Sequence, residues 1–283
     1  MKCDLIFFGF GGLTSKLILN FLENGKKVIC VSEYVKSHHE KFIDNNRENV
    51  RFLTKQEVIS KEINCGNAIV SWRDNSNLEW NKSILKAWIE SPSFTLNRIL
   101  HLSSASVYAD SSKAVNEDSF ILDLNQQGSH KFELEKALKQ IADRKFVQIT
   151  QLRVSNIYGP SMNSSFIKRI QDAVQKKIQL DVFENREIYR DFIHEDDVLL
   201  AIRSLMEIND LPEIINISTR QGTSISAILE IVKSHFVDLK LNEIKVGKNV
   251  KLSSILDCSL LASLIEWNPR KLSAELENLL FVK

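Results

Sequence analysis

A strand–turn–helix–strand pattern at the start of the chain constrains the fold more than any other feature. The apolar run at residues 5–8 indicates a strand buried on both faces, and a glycine turn at residues 9–15 follows it directly. Apolar residues then recur at helical spacing as far as Asn24-Gly25, a pair that ends helices well, and residues 28–31 form the next strand. This βαβ unit predicts a parallel sheet.

The same alternation continues through the first half of the chain. Strand-like runs occur at residues 50–53, 68–70, 99–102 and 147–152, and helical patterns lie at 81–90 and 129–143. Alternating strands and helices predict an α/β fold with a Rossmann-type, doubly wound parallel sheet.

Helical periodicity dominates after Pro160. Three helices are predicted around residues 166–174, 198–206 and 225–232, the second with Asp196-Asp197 at its cap. We therefore predict one domain at residues 1–155 and a smaller lobe at residues 156–283.

Composition narrows the classes of partner. The 37 Lys and Arg residues nearly balance the 36 Asp and Glu residues, so no overall charge favours nucleic acid or an anionic membrane. No apolar stretch approaches the roughly 18 residues needed to cross a bilayer, and residues 1–13 lack a signal-peptide cleavage site.

The four cysteines form no CxxC pair, which disfavours a zinc knuckle or a redox dithiol. We expect a cytoplasmic protein without a metal site.

Three later stretches carry a family resemblance: SSASVY at residues 103–108, LRVSNIYGP at 152–160 and RDFIHEDD at 190–197. In this order, after an N-terminal glycine turn, they resemble the extended short-chain dehydrogenase/reductase family, in particular its NAD-dependent epimerase/dehydratase group acting on nucleotide sugars. The resemblance covers nearly the whole chain. It implies a dinucleotide-binding Rossmann domain, a C-terminal lobe that binds the nucleotide-sugar substrate and returns in part to the sheet, and a homodimer.

The resemblance assigns the glycine turn to the pyrophosphate of the cofactor. Glycines let the phosphates approach the backbone, and a helix N-terminus offers them free N–H groups. The family spacing is GxxGxxG, in which a serine replaces the third glycine here; a generic βα turn without a ligand is the alternative. The candidate residues of this turn are Gly9, Gly11, Gly12, Thr14 and Ser15.

Glu33 lies just past the second strand of the βαβ unit. An acidic residue there commonly bonds the ribose 2′-hydroxyl and favours NAD over NADP. Lys36 and His38 are close enough to meet a 2′-phosphate instead, and a solvated loop acid is a further alternative. We predict NAD as the cofactor and leave NADP open.

Ser104 follows the apolar run at residues 99–102, which places it at a strand end. The resemblance implies that its hydroxyl bonds the hydroxyl or keto oxygen of the sugar; a serine that only caps the turn is the alternative. Dehydratases of the family carry an acidic pair just after this position. Ala105-Ser106 lacks that pair, which argues against 4,6-dehydration.

Phe132 stands four residues before Lys136, where the YxxxK motif of the family has its proton-donating tyrosine. Phenylalanine has no proton to give, whereas Lys136 keeps the ability to hold the nicotinamide ribose; an ordinary surface lysine is the alternative. His130 and His101 are the nearby candidates for a replacement acid, because histidine titrates near neutral pH. We take Ser104, Lys136 and His130 as the candidate catalytic residues, although His130 also fits an ordinary polar residue near a helix start.

Asn156, Tyr158 and Arg190 are the candidate substrate-binding residues. In the family the loop with the first two lies near the diphosphate of the sugar nucleotide, and an arginine pairs with that diphosphate in a fork geometry. Glu184 and Glu187 precede Arg190 and would repel a diphosphate. A structural loop in which Asn156 bonds the backbone is the alternative.

Two hypotheses for function follow. The first is an NAD(P)-dependent reductase or epimerase of a nucleotide-linked sugar, atypical because it lacks the tyrosine. The second is a non-catalytic or regulatory relative that binds a dinucleotide or a nucleotide sugar without turnover, which the substitutions at Ser15, Trp72 and Phe132 favour. A scaffold subunit that dimerises through the helices around residues 84 and 135 is a weaker third hypothesis.

Overall fold

The computed structural model describes residues 1–32, 48–71, 86–87, 94–121, 126–184, 187–245 and 250–281. The chain divides into two compact units: Met1–Ser103 with His130–Leu152, and Ser104–Ser129 with Arg153–Lys283. Residues 104–129 thus belong to the second unit, and the predicted domains at residues 1–155 and 156–283 stay a prediction. Glu33, Lys36, His38, Trp72 and most of the predicted helix at 81–90 lie outside the described residues.

The first unit is built on parallel strands. They are β1 (Lys2–Phe8), β2 (Val28–Val31), β3 (Val50–Leu53), β4 (Ile63–Val70), the short β5 (Phe94–Thr95), β6 (Arg98–Ser104) and β7 (Gln148–Val154). They lie in the order β3-β2-β1-β4-β6-β7, and β5 pairs with β4. This order is that of the Rossmann fold, so the predicted fold class is confirmed.

Within the described residues of this unit, the helices with assigned bounds are α1 (Gly12–Glu23), α2 (Lys55–Ser60) and α3 (Gln126–Lys145). All four residues of β2 are buried, as expected for an inner parallel strand covered on both faces. Helix α3 contributes Leu134, Leu138 and Ile141 to a core that includes residues of β1, β4 and β6. The apolar residues that predicted the strands therefore form the core of this unit together with side chains of α3.

In its described residues, the second unit combines short strands with five α-helices. Its strands are β8 (Asn156–Tyr158), β9 (Leu180–Phe183), β10 (Tyr189–His194), β11 (Ile214–Ile217), β12 (Gly222–Ser224), β13 (Leu241–Ile244) and β14 (Ser253–Ser254). Its helices are α4 (Phe166–Lys176), α5 (Glu195–Met206), α6 (Ile225–His235), α7 (Ser259–Leu264) and α8 (Leu272–Phe281). Strand β10 is central, since it pairs with β8 and β14 in parallel and with β12 antiparallel.

The cap of α5 differs from the predicted one. His194 is the N-cap residue, and its ring nitrogen accepts a hydrogen bond from the backbone N–H of Asp196. The three acidic residues that follow occupy the first helical turn, where a negative charge interacts favourably with the helix dipole. The acidic pair is therefore inside the helix and not at its cap.

Helices long and apolar enough to span a bilayer are absent from the described part of the chain. Within the same residues there is no group of three or more His, Cys, Asp or Glu side chains arranged to hold a metal ion.

Candidate active site

The glycine turn has the backbone geometry of an anion site. Strand β1 ends at Phe8, and Gly9 has φ +104, a value that residues with a side chain rarely adopt. Helix α1 then begins at Gly12 with Gly11 as its N-cap; no side chain caps it, and its first turn carries no acidic residue. The N–H groups of the first turn of α1 are therefore available to a ligand, whereas those of Gly9 and Ser15 donate to the carbonyls of Val31 and Gly11. The positive end of the helix dipole favours a phosphate here. These residues fit the pyrophosphate of a dinucleotide.

Two small polar side chains complete the turn. The hydroxyl of Ser15 folds back to donate to the Gly12 carbonyl at 2.7 Å, so this serine replaces glycine without projecting away from its helix. Thr14 is only 4% exposed, and its hydroxyl lies 2.7 Å from that of Ser71. Ser71 is not among the site residues predicted from the sequence. Its position directly after the buried strand β4 does indicate the carboxyl edge of the sheet.

Ser71 also locates the crevice that the strand order predicts. Its backbone N–H donates to the Phe8 carbonyl at 2.9 Å, so the carboxyl ends of β1 and β4 lie side by side. The strand order reverses between β1 and β4, and ligands of open α/β sheets bind outside the carboxyl ends at this switch point. The glycine turn is therefore at the expected place for a nucleotide within the first unit.

Phe132 and Lys136 share one face of α3. The Lys136 ammonium lies 4.8 Å from the centroid of the Phe132 ring and forms an ion pair with Glu133. The lysine is about half exposed. Phe132 is thus a cation–π partner of Lys136. Its ring carries no hydroxyl group and has no proton to donate.

His130 lies elsewhere on the same helix. It stands two positions before Phe132, a step that corresponds to a rotation of about 200° around the helix axis. Its Nδ1 atom is buried and has no hydrogen-bond partner among the described residues. Helical spacing therefore does not place the imidazole on the face that Phe132 and Lys136 occupy.

A buried polar network fixes α3 to the sheet. His101 Nδ1 lies 2.6 Å from Gln151 Oε1, and Gln151 Nε2 donates to the Glu135 carbonyl at 3.2 Å. Since the amide oxygen of Gln151 is the acceptor, Nδ1 of His101 carries a proton. Burial, reinforced by the nearby Lys131 charge, lowers the pKa of His101 to about 3. Ser103 donates to the Glu135 carboxylate and adds a second connection between β6 and α3. His101 is therefore an unsuitable acid near neutral pH.

Ser104 ends β6 and begins a 3₁₀ turn at Ala105–Val107. We call residues 104–108 the serine turn. The Ser104 hydroxyl oxygen accepts a hydrogen bond from the Ser106 N–H at 3.1 Å, which leaves its own O–H to donate. The Ser106 hydroxyl is buried without a partner among the described residues.

Tyr108 closes the serine turn and is part of the core. Its hydroxyl donates to Asn216 at 2.8 Å, and the guanidinium of Arg153 lies 4.7 Å from its ring centroid. Burial raises the pKa of Tyr108 above its ordinary value. This tyrosine therefore anchors the turn and is a poor proton donor.

The three predicted substrate residues have different environments in the second unit. Asn156 is exposed and donates to the Asp191 carbonyl at 2.9 Å, as the structural alternative proposed. Tyr158 is fully buried, donates to Glu275 at 3.0 Å, and has a pKa raised by burial and by that carboxylate. Arg190 donates to the carbonyls of Tyr189 and Lys251, both at 2.8 Å. Tyr158 thus packs the core, while Asn156 and Arg190 retain polar groups near the surface.

Comparison with known proteins decides the family. A family model described as the NAD dependent epimerase/dehydratase family matches residues 9–218.

The chain belongs to this family. Membership confirms the resemblance seen in the sequence, and it confirms NAD as the cofactor because the family is described as NAD dependent. Two curated relatives are each 25% identical to this chain. One is an ADP-L-glycero-D-manno-heptose-6-epimerase of Brachyspira hyodysenteriae, matched over 78% of this chain and 73% of the relative. The other is a putative UDP-glucose 4-epimerase of Methanocaldococcus jannaschii, matched over 81% of each.

A solved structure supports the fold over nearly the whole chain. The UDP-glucuronic acid 4-epimerase of Bacillus cereus superimposes with a TM-score of 0.83 at 20% identity, over 98% of this chain and 97% of that chain. That structure is of a variant in which one tyrosine is replaced by phenylalanine, in complex with UDP-4-deoxy-4-fluoro-glucuronic acid and NAD.

Proposed function

We propose that this chain is a slow NAD-dependent epimerase of a nucleotide-linked sugar. The observation that carries the proposal is the serine turn: Ser104 accepts from the Ser106 N–H and keeps its O–H to donate to a sugar oxygen. The family and the two epimerases among the relatives support the reaction class. Epimerisation is favoured over dehydration because Ala105-Ser106 lacks the acidic pair of the dehydratases.

The cofactor roles follow from the first unit. When bound, NAD would accept a hydride from a sugar carbon and return it to the other face of the ring. Gly9, Gly11 and Gly12 would present backbone to its pyrophosphate, and the first turn of α1 would supply N–H groups. Lys136 would hold the nicotinamide ribose in place of its contact with Glu133.

The substrate roles fall on the second unit. Ser104 would donate a hydrogen bond to the hydroxyl or keto oxygen of the sugar. A guanidinium has five N–H donors, and Arg190 uses two of them for backbone carbonyls. Its other donors would pair with the diphosphate. Asn156 would contribute from its exposed position. We leave Tyr158 out of the proposed substrate site because it is fully buried.

The position of Phe132 makes proton transfer the slow part of the reaction. A positioned general acid or base contributes about 10²–10⁴-fold, and phenylalanine cannot provide it. We assign the proton to water or to a hydroxyl of the substrate, since helical spacing directs His130 away from Lys136. A His130→Gln variant with unchanged turnover would agree with this assignment, whereas a loss of about 10²-fold would restore His130 as the acid.

A second candidate function follows from the phenylalanine at position 132. Without a tyrosine, the chain could bind NAD and a nucleotide sugar as a regulatory protein and release both unchanged. The Bacillus cereus variant with phenylalanine for a tyrosine contains both kinds of ligand, which supports binding but says nothing of turnover in this chain.

One experiment separates the two candidates. The purified protein is titrated calorimetrically with NAD, NADH, NADP and NADPH, then incubated with NAD and UDP-glucose, UDP-galactose or UDP-glucuronic acid, and the sugars are followed by NMR. Slow appearance of an epimer that disappears in Ser104→Ala supports the epimerase. Micromolar binding of cofactor and sugar nucleotide without conversion of any sugar supports the regulatory protein.

Assembly is a separate proposal. We propose a homodimer, as the sequence resemblance implies, and sedimentation velocity at micromolar concentration would test it directly. A single species at the mass of 32.4 kDa would contradict it.

A further inference from the structure

A buried lysine from the C-terminal part of the second unit holds the serine turn. Lys251 is only 8% exposed, although it carries a long charged side chain. Its ammonium donates to the Ser106 carbonyl at 2.8 Å and to the Tyr108 carbonyl. These two carbonyls come two and four residues after Ser104, so the lysine contacts the turn at its middle and at its end.

The backbone around Lys251 is fixed to the same loop. The carboxylate of Asp110 accepts the N–H groups of Leu252 and Ser253, both at 2.9 Å. Arg190 donates to the carbonyl of Lys251 at 2.8 Å. The lysine is therefore held from both sides, and its ammonium has little freedom to leave the two carbonyls.

Burial of the Lys251 ammonium is costly. Burial, together with the charge of Arg190, lowers the pKa of Lys251 to about 8, and Asp110 opposes this shift only in part. The cost of removing an ammonium from water offsets most of the free energy that its hydrogen bonds contribute to folding. We therefore look for a role of Lys251 other than stability.

We propose that Lys251 is a positioning residue for Ser104. By fixing the carbonyls of Ser106 and Tyr108, it holds the Ser106 N–H against the Ser104 hydroxyl oxygen and so aims the serine O–H. This inference rests on the proposed function for the role of Ser104 in turnover, but the contact with the serine turn is independent of it.

Hydrogen exchange tests the contact without any need for activity. The variant Lys251→Met removes the charge at similar volume, and Lys113→Met changes an exposed lysine close to the serine turn. In a peptide covering residues 104–110, the Ser106 and Tyr108 amides should exchange about tenfold faster, or more, in Lys251→Met than in the wild type or in Lys113→Met. Equal exchange rates in all three proteins would overturn the proposal.

Kinetics tests the consequence for Ser104. Misplacing a catalytic group by about 1 Å can cost about 10²-fold, so Lys251→Met should lower kcat by about that factor with KM nearly unchanged. A raised KM with an unchanged kcat would mean that the lysine binds substrate directly, and the proposal would be wrong. Should Lys251→Met fail to fold, Lys251→Gln, which keeps one donor group, should show a smaller effect in the same direction.

The epimerase function and the positioning role of Lys251 can be contradicted independently. A wild-type protein that converts no sugar nucleotide contradicts the epimerase, and the exchange rate of the Ser106 amide then still decides whether Lys251 fixes the turn. An active wild type with normal kcat in Lys251→Met contradicts the positioning role alone.

Discussion

At the scale of single residues, Phe132 is the position that distinguishes the two proposed functions, the slow epimerase and the regulatory binding protein. Its ring lies against the Lys136 ammonium, in the place where the YxxxK motif of the resemblance has the phenol ring of its tyrosine. The Ser104 hydroxyl is oriented by a backbone N–H of its own turn. Under the proposed function, a single missing proton donor would therefore limit the rate.

The substitution Phe132→Tyr should restore that donor. A phenol beside the Lys136 ammonium has its pKa lowered by the positive charge, and we expect kcat to rise by about 10²–10⁴-fold. Initial rates of epimer formation across pH 6–9 measure the effect. Phe132→Leu serves as the matched control and should stay at or below the wild-type rate; an equally slow Phe132→Tyr with normal NAD affinity would mean that the site is no longer arranged for turnover.

His101 gives the chain a sensitivity to acid. Burial lowers its pKa to about 3, so between pH 6.5 and 3 the unfolded chain binds a proton that the folded chain does not. Stability contributed by the neutral ring is thus complete above pH 6.5 and is lost by about 1.4 kcal/mol per pH unit as the pH falls. The variant His101→Asn keeps a donor for Gln151 without titrating, and its unfolding free energy should fall less steeply in urea titrations from pH 6.5 to 4. The exposed His235, changed to Asn, should retain the wild-type slope.

At the scale of elements, the junctions between strands and helices carry the constraints. Gly9 needs a positive φ between β1 and α1, and Gly159 needs φ +138 after β8. A Cβ atom at Gly159 would lie 2.5 Å from Cγ of Glu195, the first residue of α5, whose carboxylate also accepts from the Ser161 N–H at 3.0 Å. The NIYGP loop is therefore shaped by packing against a helix start.

The change Gly159→Ala should lower the free energy of unfolding by about 2–3 kcal/mol, because it combines backbone strain with overlap against Glu195. Urea unfolding followed by circular dichroism measures it. Gly66→Ala in β4 is the control: a Cβ there meets no atom within 4 Å, and it should raise stability by about 0.5–1 kcal/mol. Similar effects of the two changes would contradict the assignment of strain to Gly159.

At the scale of the whole molecule, two compact units divide the proposed work between them. The first contains the glycine turn, the switch point and Lys136, and the second contains Ser104, Asn156 and Arg190. NAD binding is thus expected to be a property of the first unit and recognition of the sugar nucleotide a property of the second.

Bound NAD should raise the stability of the protein by mass action. At a free concentration of 100 times Kd, the gain in unfolding free energy is about 2.7 kcal/mol, measurable as a shift in Tm. Gly12→Asp should abolish the shift, because a carboxylate in the first turn of α1 repels the pyrophosphate, while the helix dipole keeps the ligand-free protein as stable as the wild type. A full NAD-dependent shift in this variant would place the cofactor elsewhere.

Sequence patterns determined the sheet and its glycine turn. Continuous apolar runs such as those of β1 and β2 predict buried parallel strands because both faces must exclude water, and glycines after the first strand predict the phosphate turn. The motifs around Ser104 and Arg190 also determined the family. These signals are local, and each can be read without knowing what lies opposite it.

Tertiary structure alone decided which polar groups meet. Lys251 reaches carbonyls that lie more than 140 residues earlier in the chain, Ser71 bonds Thr14, and Tyr158 is buried against Glu275. No spacing in the sequence predicts such pairs, because a hydrogen bond depends on where distant segments are brought by packing of the apolar core. The burial that lowers the pKa values of His101 and Lys251 has the same origin, since desolvation is set by the neighbours that the fold supplies.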